Sequence, residues 1–249
     1  MDLRHTPRLF MPLSLTSGAN IGPDSEEAQH HLRHVLRLGV GDVVRVFNAQ
    51  DGEFQAAVSF LSKKELILTV QERLRAPQDD GDLWLCCALI KKAPFDFMLE
   101  KGTELGISVL QPLITQRTQI RTLNADRAAT IARESAQQSD RLSLPEVREP
   151  QKLQDFLAVF PEDRALIVCA EWGDAIPIAA SLQSAEIRSY VKAALLTGPE
   201  GGFTSEELDS LRTRPNSFFV RLGPRILRAE TAAIAALTCW QALRGDWVA

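Results

Sequence analysis

The sequence predicts an α/β protein with a small β-rich domain at its amino-terminal end. Short strand-like runs cluster before residue 75, and apolar runs alternate with helix-like stretches after residue 83. A polar segment that contains proline and glycine, APQDDGD (76–82), separates the two parts. We therefore expect a small domain over 1–75, a linker over 76–82 and a larger domain over 83–249. The length of 249 residues suits this division, because one domain usually holds roughly 100–200 residues.

Three runs rich in β-branched or aromatic residues predict strands in the first part. They are DVVRVFN (42–48), GEFQAAVSF (52–60) and ELILTVQE (65–72). Asp51-Gly52 between the first two is a hairpin signal. A helical segment near 25–38 precedes them, and together these elements suggest a small barrel.

The second part alternates strands with helices, which predicts a parallel sheet covered on both faces. The predicted strands are 83–90, 109–114, 165–170, 193–198 and 218–222. The predicted helices lie near 95–105, 126–139, 151–159, 204–212 and 229–243.

The composition excludes several classes of protein. No apolar stretch approaches the roughly 20 residues of a membrane span, and the amino terminus carries no secretion signal, so we expect a cytosolic protein. The four cysteines include no Cys-x-x-Cys pair and no histidine at metal spacing, so we expect no metal site. The net charge of −4 argues mildly against a nucleic-acid partner, although it allows a local basic surface.

The segment LLTGPEGGFTSEEL (195–208) turns sharply after a buried strand. Three glycines between Gly198 and Gly202 let backbone groups approach a ligand closely. Thr204 and Glu207 form a capping-box pattern that starts a helix. The segment lacks the Gly-Lys-Ser/Thr ending of a phosphate-binding loop, and Glu200 would repel phosphate. A neutral or cationic ligand therefore fits better. A tight turn with a helix cap would give the same pattern.

A second turn, LGPRILR (222–228), follows another strand and precedes a long helix rich in alanine. Arg228 and Glu230 near the start of that helix would, taken alone, read as a solvated charge pair. Two Gly-Pro turns after successive strands at one sheet edge instead suggest the two walls of one pocket.

These paired turns, GPEGGF (198–203) and LGPRILRAETA (222–232), closely resemble those of the RsmE-type members of the SPOUT methyltransferases. Other segments that fit in order are RHTPRLF (4–10), RHVLRLGVGDVVRVFN (33–48), EKGTELG (100–106), PLITQRTQIR (112–121) and RESAQQSDR (133–141). The resemblance covers nearly the whole chain. Asp140 departs from it, because the family more often has glycine there.

The resemblance implies an amino-terminal PUA-like β-barrel followed by a SPOUT domain with a deep carboxyl-terminal trefoil knot. It implies S-adenosylmethionine (SAM) as cofactor, N3 of a uridine in 16S ribosomal RNA as target, and a homodimer. The cofactor-binding residues that it implies are Leu196, Thr197, Gly198, Pro199, Glu200, Gly201, Gly202, Leu222, Gly223, Ile226 and Leu227.

Two residues are candidates for the chemistry. Arg228 is expected to stabilise negative charge on the uracil, because a guanidinium stays protonated and offers several donors. Glu230 could orient Arg228 or accept the proton from N3, and water could also be the base.

Arginines and histidines in two regions are candidates for RNA contact. On a helix, His30, Arg33, His34 and Arg37 would share one face, where they could meet phosphates. The further candidates are Arg4, Arg8, Arg117, Arg121 and Arg141. A solvated helix face is the plainer interpretation of the first group.

Two other functions compete with methylation of 16S RNA. One is a non-catalytic RNA-binding or ribosome-assembly protein, which would not bind SAM. The other is a related SPOUT enzyme that acts on transfer RNA. The leading PUA-like segment and the wording of the second turn favour the ribosomal uridine.

Overall fold

The chain forms two compact units in a computed structural model that describes residues 6–23, 29–62, 65–170 and 175–248. The first unit holds Met1–Asp80 together with Ala136–Leu144, and the second holds Gly81–Ser135 together with Pro145–Ala249. Residues 76–82 form no helix or strand. The division differs from the predicted one in the segment 136–144, which the sequence assigned to the larger domain and which belongs to the first unit.

A five-stranded sheet forms the first unit, with the strand order β1-β3-β4-β5-β2. Its strands are β1 (Arg8–Phe10), β2 (Asn20–Ile21), β3 (Val43–Asn48), β4 (Gly52–Leu61) and β5 (Leu66–Arg75). β1 runs parallel to β3, and the other pairs are antiparallel. The three strands that the sequence predicts are confirmed, while β1 and β2 are too short to give a period-2 signal.

Alternate residues of the long strands form the core of this unit. Val44, Val46, Ala56, Val58 and Leu68 are at most 1% exposed. Period-2 alternation places them on one face of the sheet, where they pack together.

The predicted helix near 25–38 is only partly correct. Residues 29 and 30 are helical, and His31–Val35 forms a π-helical turn, whose wider turn breaks the 3.6-residue spacing. Arg37 has a φ of 53°, so it lies beyond the helix and outside the predicted face. Val35 is 60% exposed, so its side chain does not pack into the core of this unit.

A buried ion cluster around Glu53 joins the segment 136–144 to the small sheet. Arg8 Nε lies 2.6 Å from Glu53 Oε1, and both side chains are almost fully buried. The guanidinium of Arg8 also donates to the carbonyl oxygens of Ala136 at 2.8 Å and Arg141 at 2.7 Å. Arg75 Nε donates to Glu53 Oε2 at 2.8 Å. Charged groups leave water only when they are paired in this way.

The burial of Arg8 and Arg141 corrects two predicted RNA contacts. Each residue is 8% exposed. Arg8 is occupied by Glu53 and main-chain oxygens, and Arg141 donates to Ser143 Oγ at 2.9 Å. Their charge therefore serves the interior of this unit and is not available to a phosphate.

Asp140 occupies a backbone position that suits glycine. Its φ is 58°, in the left-handed region that side chains other than Asn and Asp rarely adopt. Arg45 Nη1 lies 3.2 Å from its carboxylate and Arg8 Nε lies 3.4 Å from it. The family's glycine and this aspartate are therefore two solutions to one conformational demand, and the aspartate adds an ion pair.

An all-parallel sheet forms the second unit, with the strand order β11-β13-β10-β12-β6-β7-β8 and β9 beside β7. Its strands are β6 (Leu83–Ala88), β7 (Val109–Ile114), β8 (Glu146–Val147), β9 (Gln151–Lys152), β10 (Arg164–Cys169), β11 (Ile176–Pro177), β12 (Lys192–Thr197) and β13 (Ser217–Arg221). The five longer strands confirm the predicted set.

Helices cover both faces of this sheet. They are α1 (Lys92–Glu104), α2 (Ala125–Gln138), α3 (Leu153–Val159), α4 (Ile178–Leu182), α5 (Ala185–Arg188), α6 (Ser205–Arg212) and α7 (Ala229–Leu243). Residues of α1 and α7 join one core cluster, and residues of α3 and α6 join a second one. The two clusters use alternate residues of β12, as expected for strands that are apolar on both sides. No helix in the described ranges has the length and apolarity needed to cross a membrane.

We predict that Arg8→Ala destabilises the chain by about 3 kcal/mol, because it leaves the buried Glu53 carboxylate without its nearest partner. Urea unfolding followed by circular dichroism measures this loss. Arg73→Ala is the matched control, since Arg73 is exposed on the same sheet and its removal should change stability by at most about 0.5 kcal/mol. Equal effects of the two substitutions would contradict the assigned role of Arg8.

Candidate functional site

The strand order brings the two glycine-proline loops to the same edge of the large sheet. β12 and β13 pair with opposite sides of β10, and all three strands are parallel. Their carboxyl ends therefore meet at one edge, where ligands of open α/β sheets bind. Residues of both loops line a single cavity of about 770 Å³. The prediction that these loops form two walls of one pocket is confirmed.

Ten of the eleven residues predicted to hold a cofactor line this cavity. They are Thr197, Gly198, Pro199, Glu200, Gly201, Gly202, Leu222, Gly223, Ile226 and Leu227. Leu196 is the exception: it is fully buried in the core cluster that includes Phe156 and Leu211. Neighbouring strand residues point to opposite faces, so Thr197 can line the cavity only if Leu196 faces the core.

Glycine is required at two points of the loops for different reasons. A Cβ on Gly198 would lie 3.1 Å from the ring of Phe203, so the ring would have to shift by a few tenths of an ångström to admit a side chain. Gly223 has a φ of 107°, which side chains disfavour. The backbone at both turns is thereby shaped in ways that other residues would strain.

A capping box fixes the end of the first loop and the start of α6. The hydroxyl of Thr204 accepts from Glu207 N at 3.3 Å, and Glu207 Oε2 accepts from Thr204 N at 2.9 Å. This confirms the predicted cap. Glu207 Oε1 also accepts from Gln116 N at 2.8 Å, in the turn after β7. The same carboxylate therefore ties two loops together, which sequence spacing could not reveal.

Arg117 braces the first loop from the side of that turn. Its Nη1 donates to Gly201 O at 2.6 Å and to Phe203 O at 3.4 Å, and the residue lines the cavity. The sequence placed Arg117 among the RNA contacts. In the structure its guanidinium donates to main-chain oxygens of the glycine loop, and its contact with RNA stays a prediction.

Two polar groups on the cavity wall behave differently. Thr197 is 1% exposed, and its Oγ1 has no hydrogen-bond partner among the described residues. A buried hydroxyl without a partner costs about 1–3 kcal/mol, which marks the position as one where a ligand atom can bind. Burial raises the pKa of Cys169 to about 12, so this thiol stays neutral and acts as an apolar part of the wall.

The two candidate catalytic residues differ in their access to the cavity. Arg228 is exposed, lines the cavity and is the N-cap residue of α7. Glu230 is half-buried in the first turn of that helix and does not line the cavity. The structure therefore gives Arg228 access to a bound reactant and gives Glu230 none directly.

Arg221 and Arg225 also line the cavity, and both are exposed. The sequence predicts no role for either residue. They lie within or next to the quoted turn LGPRILR, so their position in that segment was the signal that could have identified them.

The other predicted RNA contacts lie away from these loops in sequence. His30, His34 and Arg37 are exposed, and Arg33 is half-buried. The rings of His30 and His34 lie 4.6 Å apart, so these two side chains do share a face. Arg121 is exposed after the turn that carries Arg117.

Arg4 lies outside the described residues, and so do Glu171 to Asp174, which follow the cavity residue Ala170. Among the residues that are described, no cluster of three or more His, Cys, Asp or Glu side chains could hold a metal ion.

Comparison with known proteins gives matches over most of the chain. The family described as an RNA methyltransferase domain matches residues 77–241, and an RNA methyltransferase PUA domain matches residues 24–71. Ribosomal RNA small subunit methyltransferase E of Rickettsia conorii is 34% identical over 235 residues, covering 92% of this chain and 93% of the relative. The Bacillus subtilis protein of the same name is 30% identical, covering 88% and 91%.

Solved structures agree with these relatives. Ribosomal RNA small subunit methyltransferase E from Neisseria gonorrhoeae, bound to S-adenosyl methionine, aligns with a TM-score of 0.83 at 25% identity and covers 98% of this chain and 100% of its own. A Legionella pneumophila protein in complex with SAM aligns with a TM-score of 0.81 at 30% identity, covering 97% and 99%. With a matched methyltransferase domain and relatives this similar over nearly their full length, the chain belongs to the ribosomal RNA small subunit methyltransferase E family.

Proposed function

We propose that this chain transfers a methyl group from SAM to N3 of a uridine in 16S ribosomal RNA. The observation that carries the proposal is the cavity of about 770 Å³ whose walls are the two glycine-proline loops. Cavities of roughly 300–1,000 Å³ suit ligands of this size. The names of the relatives and the SAM-bound neighbours support the donor and the RNA substrate.

The cavity fits SAM in shape and chemistry. Its walls are largely apolar, as an adenosine ring system requires, and the glycine turns offer main-chain groups at close range. The unpartnered hydroxyl of Thr197 supplies one polar atom inside the cavity. Glu200 adds a negative charge, which suits a cationic donor. Bound SAM would supply a methyl group carried on a sulfonium.

Arg228 is the residue that we place at the acceptor. The first turn of α7 holds its backbone, since Ala232 N donates to Arg228 O at 2.8 Å. Its exposed guanidinium at the cavity can therefore reach a bound base while its main chain stays fixed. A protonated guanidinium stabilises the negative charge that develops on the uracil when N3 loses its proton.

The proton on N3 requires an acceptor, and two are compatible with the site. Glu230 is two residues from Arg228 but does not line the cavity, so it would act through a water molecule or by orienting Arg228. A water molecule from solvent is the second possible acceptor of the proton. Arg228 carries the charge-stabilising role with either acceptor.

The proposal includes four finer features. The small sheet closes as a PUA-like barrel that contacts RNA, and the two loops form part of a trefoil knot. The protein acts as a homodimer in the cytoplasm, where ribosomal subunits are assembled. The match of residues 24–71 to a PUA domain supports the first, and the placement of β13 beside β10, rather than beside β12, supports the second.

The direct test maps methylated uridines in 16S RNA from cells that lack this protein. One N3-methyluridine should disappear, and the wild-type chain should restore it. Arg228→Ala should bind SAM with unchanged affinity but restore at most a small fraction of the modification, because it lacks the charge that stabilises the reacting base. The matched control is Arg188→Ala, an exposed arginine outside the cavity, which should restore it fully.

A 16S RNA modified as in the parent strain would rule out this target. A uridine lost instead from transfer RNA would point to the related SPOUT activity, and a chain that rescues ribosome assembly without any methylation would be a binding protein.

Thr197→Val tests whether the cavity hydroxyl meets the donor. The substitution keeps the side-chain shape and removes an unpartnered hydroxyl, so the free protein should gain about 1 kcal/mol of stability. SAM affinity should fall about five- to ten-fold, since one hydrogen bond is lost. Chemical unfolding and calorimetric titration measure the two effects.

Thr103→Val is the control for that substitution. The buried Thr103 hydroxyl donates to Leu99 O at 2.8 Å and lies in α1, away from the cavity lining. It should lose about 1 kcal/mol of stability and keep its SAM affinity. Undiminished SAM binding by Thr197→Val would show that the hydroxyl does not contact the donor.

A further inference from the structure

Three exposed arginines on the connection from β13 to α7 line the cavity. They are Arg221, the last residue of β13, with Arg225 and Arg228 in the following turn. In the described part of the chain, no acidic side chain forms an ion pair with any of the three. Other arginines of the same unit are paired, as Arg127 is with Asp96 and Arg164 with Asp82.

The three guanidinium groups carry more positive charge than the methyl donor can neutralise. SAM carries a sulfonium cation and an amino-acid group with one carboxylate, so at most one guanidinium has a counter-ion on it. Among the described residues that line the cavity, Glu200 is the single acidic one. Several unneutralised cations beside a cationic ligand are unfavourable unless an anion arrives with the second substrate.

These cations form a local positive cluster on a chain whose net charge is negative. The net charge of the protein is −4, so electrostatic attraction for RNA must come from local clusters. Two arginines that the sequence assigned to RNA, Arg8 and Arg141, are buried in ion pairs and hydrogen bonds. Exposed arginines do cluster among the residues that line the cavity.

We propose that Arg221 and Arg225 bind RNA phosphates next to the target nucleotide, while Arg228 acts at the base. This inference rests on the proposed function, since it assumes that the cavity is the site of methyl transfer. Guanidinium groups suit phosphate because their planar donors bind two oxygens at once. Such contacts position the RNA and do not read its sequence.

The test measures affinity for 16S ribosomal RNA, transcribed in vitro, as a function of salt concentration. The double variant Arg221→Ala/Arg225→Ala should bind about ten-fold more weakly at moderate salt. Its slope of log affinity against log salt should be shallower by about 1.4–1.8 units, or roughly 0.7–0.9 for each lost phosphate contact. Arg188→Ala removes one positive charge outside the cavity and should leave the slope unchanged.

Two further measurements separate this inference from the function on which it rests. Calorimetry should give the double variant the SAM affinity of the wild type, and Arg221→Lys/Arg225→Lys should restore most of the salt slope because the charge is kept. If the wild-type chain failed to bind SAM, the proposed function would be wrong. The salt dependence of RNA binding would still test the phosphate contacts of Arg221 and Arg225.

Two outcomes would overturn the inference. In the first, the double alanine variant keeps the wild-type salt slope and RNA affinity. In the second, it loses SAM affinity while its RNA slope is unchanged, which would assign the arginines to the carboxylate of the donor.

Discussion

The parallel placement of β12 and β13 on the two sides of β10 is the constraint on which the site depends. It brings the loops that follow β12 and β13, residues 198–203 and 222–228, to a single sheet edge, where neither loop alone could enclose a ligand. Packing then fixes their shape. The ring of Phe203 lies against Gly198, and the capping box at Thr204 with its bond to Gln116 fixes the far end of the first loop. The cavity is therefore a product of strand order first and of glycine chemistry second.

A division of labour among the arginines follows from their surroundings. Arg8 satisfies a buried carboxylate and several carbonyl oxygens in the small unit. Arg117 holds main-chain oxygens of the glycine loop. Arg221, Arg225 and Arg228 line the cavity and are exposed. The same residue type thus serves folding, loop positioning and substrate chemistry, and burial with hydrogen-bond partners distinguishes these roles where sequence spacing does not.

Much of the fold could be predicted from the sequence because its signals are local. The apolar runs of β6, β7, β10, β12 and β13 and the pattern of the intervening helices are readable within ten to fifteen residues. The two loops of the site were identified for the same reason, since Gly-Pro turns and the Thr204 to Glu207 cap are short patterns.

The remaining features depend on contacts that are distant in sequence. Arg8 lies 45 residues from Glu53 and 128 from Ala136, so no local pattern announces its burial. The π-helical turn at His31–Val35 follows a backbone choice that helical periodicity does not encode. The left-handed conformation of Asp140 explains a departure from the family pattern that the sequence alone left without a reason.

A calorimetric titration of SAM into the purified chain and into Gly198→Ala tests the central claim most directly. The wild-type chain should bind one SAM per chain, and Gly198→Ala should bind it more weakly, because the added carbon lies 3.1 Å from the Phe203 ring, which must shift by a few tenths of an ångström. Gly22→Ala, whose added carbon would meet its nearest neighbour at 3.6 Å, should behave as the wild type. Absence of SAM binding by the wild type, or equal binding by Gly198→Ala, would contradict the account that these loops hold the methyl donor.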